Sequence, residues 1–374
     1  MITRDFTKYF KQRLSEGGVK EIFCYYFNRE FVRLKIDQMK DSRQKKIEKK
    51  CFLKGERVSW DNKRMRFITV AWGSYVDLFF SYVVPSLLQE SNIPALYSED
   101  YIIEWDLYTK KGDQSFSSEF YQEILEKLNK YVKLNIIPLE DTEDITYQAL
   151  LQHVRKVVRE RSLFVMTPSD TIFGNASLFN AVKLIAGKGI CLAAAHPRVD
   201  TDKILESHEL DVLKRGGEVE NDQLVDIAFR YGHPALLEAF DEKDMNVTLS
   251  GLSVRPLDDR HYGVISNLPT PYLCLMDEDD LKFFENDKTY NNWDRKWLQR
   301  LVQQSRIKFV GSSEAFFCIE LTPFKHPVFP KPNCQNNDWY KAFEHMRIQN
   351  HVCNNFYCIW TKPKQAQREE HRVC

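Results

Sequence analysis

The chain lacks a net charge: among its 374 residues, 53 Lys and Arg balance 53 Asp and Glu. No global field therefore draws it to nucleic acid or to an anionic membrane. It has no apolar run of about 18 residues, the length a membrane-spanning helix needs. A signal-like apolar segment near the N-terminus is also missing, and nine cysteines fall at irregular spacing. Free thiols in a reducing, cytoplasmic setting are the expectation. A Walker loop, a dinucleotide fingerprint and a nucleophile elbow are all absent, which argues against a hydrolase triad or a nicotinamide enzyme. Cys334, His345, His351, Cys353 and Cys358 crowd the end of the chain without forming a closed Cys-x-x-Cys pair, so a zinc site there is disfavoured. There is no internal repeat and no low-complexity tract.

What the chain does have is an apolar content of 43%, enough for one main soluble domain with additions at both ends. The expected division is a helical, basic extension over residues 1–63, a main domain over 64–328 and a tail with a short helix over 329–374. Residues 1–66 carry about ten more Lys and Arg than Asp and Glu, so the remainder is acidic by a similar amount. The basic stretch 38–66 reads either as a solvated connector or as a surface that meets phosphates, and Trp60 among the charges mildly favours the second.

From residue 66 strands and helices alternate. Residues 66–72 predict a strand, 75–89 a helix interrupted by Pro85, 92–96 a short connection and 101–108 a second strand. A helix over 120–131, a strand over 134–138, a helix over 147–161 and a strand over 163–167 follow. A helix over 177–186 and a strand over 189–195 complete the alternation, which points to a doubly wound, mostly parallel sheet. Residues 222–240 predict a helix split near Gly232-His-Pro234. Strands are expected at 247–254 and 272–276, a helix at 292–304, and a late pair of strands at 306–310 and 316–321.

Open α/β sheets place ligands at the carboxyl ends of their strands. Asp170 follows the apolar run 163–166 at such an end. It is either a turn or cap residue or one carboxylate of a Mg²⁺ or Mn²⁺ site whose other ligands are water and substrate phosphate. Asp277-Glu-Asp-Asp280 is either a solvated loop capping the next helix or a source of inward carboxylates. In the second case Asp277 and Asp279 share a face and can supply a general base. Arg198, Arg255 and Arg260 are phosphate-fork candidates or local ion-pair partners.

The run 67–72 with Gly73-Ser-Tyr-Val76, Val84-Pro-Ser-Leu-Leu88 and Asn92-Ile-Pro94, followed later by Pro168-Ser-Asp170 and Gly174-Asn-Ala-Ser-Leu178, resembles nucleotide-sugar glycosyltransferases of the GT-A type. The late segment Val310-Gly-Ser-Ser-Glu-Ala-Phe-Phe-Cys-Ile-Glu-Leu-Thr322 is similar to an Asp-Ser-Asp-containing segment of some members. The resemblance spans about residues 64–325. It implies a Rossmann-like sheet whose first strand end, Ala71, Trp72, Gly73 and Tyr75, meets the nucleotide together with Asp106, Ser169, Arg198 and Arg255. Asp170 then lies at the metal, Mn²⁺ or Mg²⁺, where the usual Asp-x-Asp is reduced to one carboxylate. His261 or Asp279 is the expected second ligand, or Arg198 and Arg255 stand in for the cation. Asp279, Asp277 and Glu314 are the implied catalytic carboxylates. The implied activity is sugar transfer from a nucleotide-sugar donor to a hydroxyl of a soluble or surface glycan. A hydroxylated base in DNA, stacked on Trp72, Trp105 or Trp293, is the alternative acceptor, and a non-catalytic nucleotide-binding protein a further one.

Overall fold

Alternating burial along the strands decides the architecture. In the computed structural model, β1 (Arg64–Val70) is buried on both faces. Met65 and Phe67 enter one apolar core, with Trp105 and Leu107 of β2 (Ile102–Lys110) and Leu163 and Val165 of β4 (Leu163–Met166). Ile68, Tyr108 and Phe164 enter a second core on the opposite face. Period-two side-chain direction thus gives each strand a place in two cores, and the sheet is covered on both sides. Residues 60, 62–113, 121–142, 144–185, 191–237, 252–266, 269–286, 297, 298, 300, 301, 304, 306–325 and 356–363 are described. The basic stretch before Trp60 and the expected helix near 338–349 lie outside them. Contacts divide the chain into a unit of Met1–Gly55 with Pro256–Asp259 and a larger one of Glu56–Arg255 with Arg260–Cys374. The elements below build the larger unit, save for Pro256 at the end of one strand.

The main sheet has seven strands in the order β11-β6-β10-β4-β1-β2-β3. Its remaining members are β3 (Val132–Leu139), β6 (Cys191–Ala194), β10 (Thr270–Leu275) and β11 (Ile307–Phe309). All run one way except β10, which lies antiparallel between β4 and β6. This is the mixed α/β fold with a mostly parallel sheet that the alternation predicts. Two small sheets accompany it. One is β5 (Thr171–Phe173), β12 (Cys318–Thr322) and β7 (Arg198–Asp200), and the other β13 (Phe356–Thr361), β9 (His261–Ser266) and β8 (Leu252–Pro256). The expected late strand pair does not pair with itself: β11 extends the main sheet beside β6, whereas β12 goes to a small one.

The helix after β1 is α1 (Ser74–Leu78), which runs through a π-helical turn (Phe79–Val83) into α2 (Val84–Leu87). Pro85 lacks an N–H and crowds the carbonyl four residues back, and the wider turn just before it absorbs that mismatch without ending the helix. The expected connection at 92–96 is instead a helix, α3 (Ile93–Ser98), with Pro94 in its first turn, where no N–H is needed. Next come α4 (Gln122–Asn129), α5 (Ile145–Glu160) and α6 (Ser177–Ile185). α5 buries Ala149, Leu150, Val154, Val157 and Val158 and ends at Arg161, whose φ of 50° is left-handed. α7 (Thr201–Ser207), α8 (Asp211–Lys214), α9 (Asn221–Arg230) and α10 (Pro234–Leu237) precede α11 (Glu278–Asn286). The break between α9 and α10 falls where Gly232-His-Pro234 predicts it.

Two sequence motifs fix the packing of α6. Asn92 is fully buried; its Oδ1 accepts from the N–H of Leu178, and its Nδ2 donates to the carbonyls of Ser86 and Gly174. A Cβ at Gly174 would stand 1.9 Å from Oδ1 of Asn221, so only glycine fits there.

Between β1, β2 and α5 lies a buried ion cluster. Asp106 is 0% exposed and accepts from Lys156 Nζ at 2.9 Å and Asn135 Nδ2 at 2.9 Å, with Arg66 at 3.4 Å and His153 Nδ1 at 3.2 Å. Burial opposes its ionisation, but the bonds from His153, Lys156 and Asn135 outweigh that and hold the carboxyl well below the usual carboxylate range. Arg66 also reaches Glu160 at 2.6 Å and Glu104 at 3.1 Å. Asp106 therefore does not meet a nucleotide, contrary to the expectation: it is sealed under the sheet with its lone pairs taken. Two tryptophans expected near nucleic acid are also core residues. Trp60 stacks on Tyr101 at 5.6 Å and donates to the carbonyl of Arg64. Trp105 is 0% exposed and donates to Thr69 Oγ1.

Asp106→Ala should cost about 3–5 kcal/mol, because it strands buried cations without their partner. Urea unfolding near neutral pH measures this. Since the carboxyl is depressed in the folded state, the wild-type advantage should be present above the unfolded carboxylate pKa and shrink as acid protonates Asp106.

Candidate active site

Strand direction gives the sheet one carboxyl rim, and the chain returns to it repeatedly. β4 leaves the main sheet through Thr167, Pro168 and Ser169 to Asp170 and enters β5, and β6 leaves through Ala195, His196 and Pro197 to enter β7. β12 pairs with both continuations. Glu320 stands opposite Thr171 in the antiparallel pair and opposite Arg198 in the parallel one, and the N–H of Leu321 donates to the carbonyl of Asp170 at 2.8 Å. The small sheet thereby delivers Asp170, Glu320 and Arg198 to one place.

Glu320 is well held. Its Oε2 lies 2.9 Å from His196 Nε2, and its Oε1 lies 3.0 Å from Arg198 Nε and accepts from Thr322 Oγ1 at 3.0 Å. Burial works against its charge, yet the bond from His196 and the charge of Arg198 hold it ionised, below the usual range. Asp170 is half-buried, and among the described residues no side chain donates a hydrogen bond to it. Burial, then the negative Glu320, pushes its carboxyl above the usual range, with Arg198 pulling the other way. Tyr75, at the start of α1, joins them: burial and the charges of Asp170 and Glu320 raise its hydroxyl. The end of the first strand and the acid after the fourth thus share one electrostatic neighbourhood.

The other expected residues fall as follows. Ala71 is buried, its N–H on the carbonyl of Tyr108, and Trp72 is half-buried under Lys110 Nζ at 5.0 Å. Gly73 has a φ of 57°, a left-handed value that favours glycine, and its N–H donates to Asp113. Ser169 is buried beside Asp170. His261 lies in the other small sheet, on β9 opposite Thr361. The side chain of Arg255 and all of Trp293 lie outside the described residues. Of the suspected zinc set only Cys358 is described, a buried free thiol.

Asp277 and Asp279 are corrected. Because β10 runs antiparallel, its last residue Leu275 opposes Leu163, the first of β4. The acidic run that follows therefore sits at the amino rim, across the sheet from Asp170. There Asp277 Oδ1 accepts the N–H groups of Asp279 and Asp280 and caps α11. Asp280 is buried against Arg306 at 2.8 Å and Trp297 at 3.2 Å. Asp279 is exposed at the surface. This is the capping alternative, and these acids cannot serve a site at the other rim. Glu314 is exposed in the loop before β12; the carboxyl of the late segment that acts on Asp170 is Glu320, six residues on. A lone acid inside the apolar strand Cys318–Thr322 was the available signal for it, but only pairing with β5 and β7 gives that acid partners.

Among the described residues no group of three or more His, Cys, Asp or Glu side chains is placed to hold a metal ion. No described helix is long and apolar enough to cross a membrane. No protein-family model matches the sequence, and a search of curated proteins gives no match. Among solved structures, one similar to this chain is a 4-diphosphocytidyl-2C-methyl-D-erythritol synthase from Anaerococcus prevotii DSM 20548, at 18% identity and a TM-score of 0.25 over 38% of this chain and 59% of that one. Another is GalNAc-T7 with UDP, GalNAc and Mn²⁺, at 10% identity and a TM-score of 0.38 over 77% of this chain and half of that one. A third is a glucose-1-phosphate thymidylyltransferase from Bacillus anthracis in complex with a sucrose, its assignment given as provisional, at 12% identity and a TM-score of 0.32 over 66% and 85% of the two chains.

The charge arrangement has a measurable sign. A carboxyl raised in the folded state costs stability as pH climbs from the unfolded carboxylate pKa through the folded one. Asp170→Asn should therefore gain stability over wild type as pH rises through that window and show no gain at more acid pH. Glu320→Gln should lower the pKa of Asp170, read by carboxyl ¹³C NMR titration.

Proposed function

We propose that the chain is a transferase that uses a nucleotide-sugar donor and passes the sugar to an acceptor hydroxyl on a glycan. The single observation that carries this is the delivery of Asp170, Glu320 and Arg198 to the carboxyl rim of a mostly parallel sheet by the pairing of β12 with β5 and β7. A donor diphosphate needs positive charge and room at that rim, and gains charge as the sugar leaves. Arg198 spends its Nε on Glu320, and with its side chain 39% exposed the rest of its fork can meet a phosphate.

A divalent cation fits this donor set. Asp170 is a half-buried carboxyl without a side-chain donor among the described residues, placed beside a second negative charge, and a hard cation answers both conditions. Asp170 would hold Mg²⁺ or Mn²⁺, with water and phosphate oxygens as its other ligands. Such an ion supplies Lewis-acid stabilisation to the departing diphosphate. Within this reading Ala71, Trp72, Gly73 and Tyr75 border the nucleotide, and Ser169 the phosphates. Glu320 keeps Arg198 in place and sets the charge felt by Asp170. The DNA-acceptor alternative is not carried forward, since Trp60 and Trp105 are core residues.

A thermal-shift screen with UDP, GDP, CMP and dTDP sugars, with and without Mn²⁺, tests the proposal. One donor class should raise the midpoint, more so with Mn²⁺, and Asp170→Ala should abolish the Mn²⁺-dependent part. With that donor, Asp170→Ala should lower turnover by about 10²-fold or more. No response to any donor, or unchanged turnover in the variant, would refute it.

A further inference from the structure

Behind Glu320 runs a line of buried polar groups. Tyr272 of β10 is 1% exposed, and its hydroxyl lies 2.9 Å from Nδ1 of His196. The thiol of Cys318, on β12, donates to the same hydroxyl oxygen at 3.1 Å. The rings of Phe316, at 5.1 Å, and Phe173, at 6.0 Å, pack against Tyr272 and close off water. His196 Nε2 then meets Glu320 Oε2 at 2.9 Å.

Counting protons along this line distinguishes two arrangements. Burial pushes both the Tyr272 hydroxyl and the Cys318 thiol up, so each keeps its proton. If the thiol donates to the phenol oxygen, the phenol has one proton to give and Nδ1 has the lone pair to receive it. Nε2 then carries the imidazole proton and donates it to the carboxylate, and every donor is used. In the reverse arrangement Nδ1–H donates to the phenol, the bare Nε2 faces the Glu320 carboxylate at 2.9 Å with two acceptors and no proton between them, and the phenol is left to donate to sulfur, a weak acceptor. The first satisfies the buried groups and the second does not.

We propose that Tyr272 is a positioning residue of this site: with Glu320 at Nε2, its hydroxyl at Nδ1 fixes the plane of the His196 ring, and His196 so held aims Oε2 of Glu320. Arg198 and Thr322 hold the other oxygen. The negative charge beside Asp170 is thereby kept at one point, by a residue that touches neither substrate nor cation. This role rests on reading the rim as the transfer site, but its structural half is measurable without any substrate.

Long-range ¹H–¹⁵N correlation NMR on the full chain reports which imidazole nitrogen carries the proton, with the His196 signal assigned by its loss in His196→Asn. Wild type should show His196 protonated at Nε2 with a hydrogen-bonded Nδ1 resonance, Tyr272→Phe the Nε2 proton retained but the Nδ1 resonance moved to that of an unbonded nitrogen, and Cys318→Ala the wild-type pattern, because the tyrosine hydroxyl remains. A wild-type His196 protonated at Nδ1, or a Tyr272→Phe spectrum identical to wild type, overturns the proposal. The wild-type spectrum decides the point even if Tyr272→Phe fails to fold. With the donor found by the screen, Tyr272→Phe should lower kcat about tenfold with donor KM unchanged, and an unchanged kcat overturns the positioning role. If wild type turns over no nucleotide sugar, the transfer reading fails and the tautomer result still judges Tyr272.

Discussion

The pairing of β12 between β5 and β7 is the constraint on which the site depends. Neither flanking strand is more than three residues long, and each is only the continuation of a main-sheet strand beyond the rim. β12 ties both continuations together by main-chain hydrogen bonds and puts a single acid, Glu320, in register with Thr171 and Arg198. Without that strand Asp170 would be a turn residue after β4 that lacks the neighbouring negative charge of Glu320. With it, a carboxyl that keeps its proton unusually well faces one that has lost it, and such opposed pairs are what group-transfer sites are built from.

The molecule uses buried charge in two contrasting ways. Under the sheet, Asp106 is surrounded by donors and is ionised at little electrostatic cost, so Arg66, His153 and Lys156 lock β1, β2 and α5 together. At the rim the donors converge on Glu320 and leave Asp170 undersupplied. A saturated cluster resists change. An undersupplied one is poised to accept a cation or a proton, and that contrast separates a structural charge site from a candidate chemical one when both are acids carried by strands of one sheet.

Much of the main sheet was legible in the sequence because its strands are apolar on both faces and its helices repeat at the helical period. Phe67, Val165 and Leu192 advertise their strands, and Leu150, Val154 and Val157 their helix. The end of the first strand and Asp170 were legible for the same reason, since a turn after an apolar run marks a rim. Strand direction was not. The run Tyr272-Leu-Cys-Leu275 has the same texture whether it lies parallel or antiparallel, and that one unknown sent Asp277 and Asp279 to the wrong side of the sheet. Asp106 misled differently, because burial with partners drawn from β1, β3 and α5 is a tertiary fact with no local signature. His196 and Glu320 lie 124 residues apart and acquire meaning only as a pair.

The reversed strand β10 also orders the making of the molecule. It occupies the middle of the sheet yet arrives late in the chain, at Thr270–Leu275, well after its neighbours β4 and β6 have been synthesised. Until it inserts, both neighbours present bare hydrogen-bonding edges to the interior, and the apolar layers on either side cannot close. Completing the centre of the sheet is thus a long-range step, slow by its loop entropy, and a nascent chain stopped short of residue 270 would carry a gap where its sheet should be continuous.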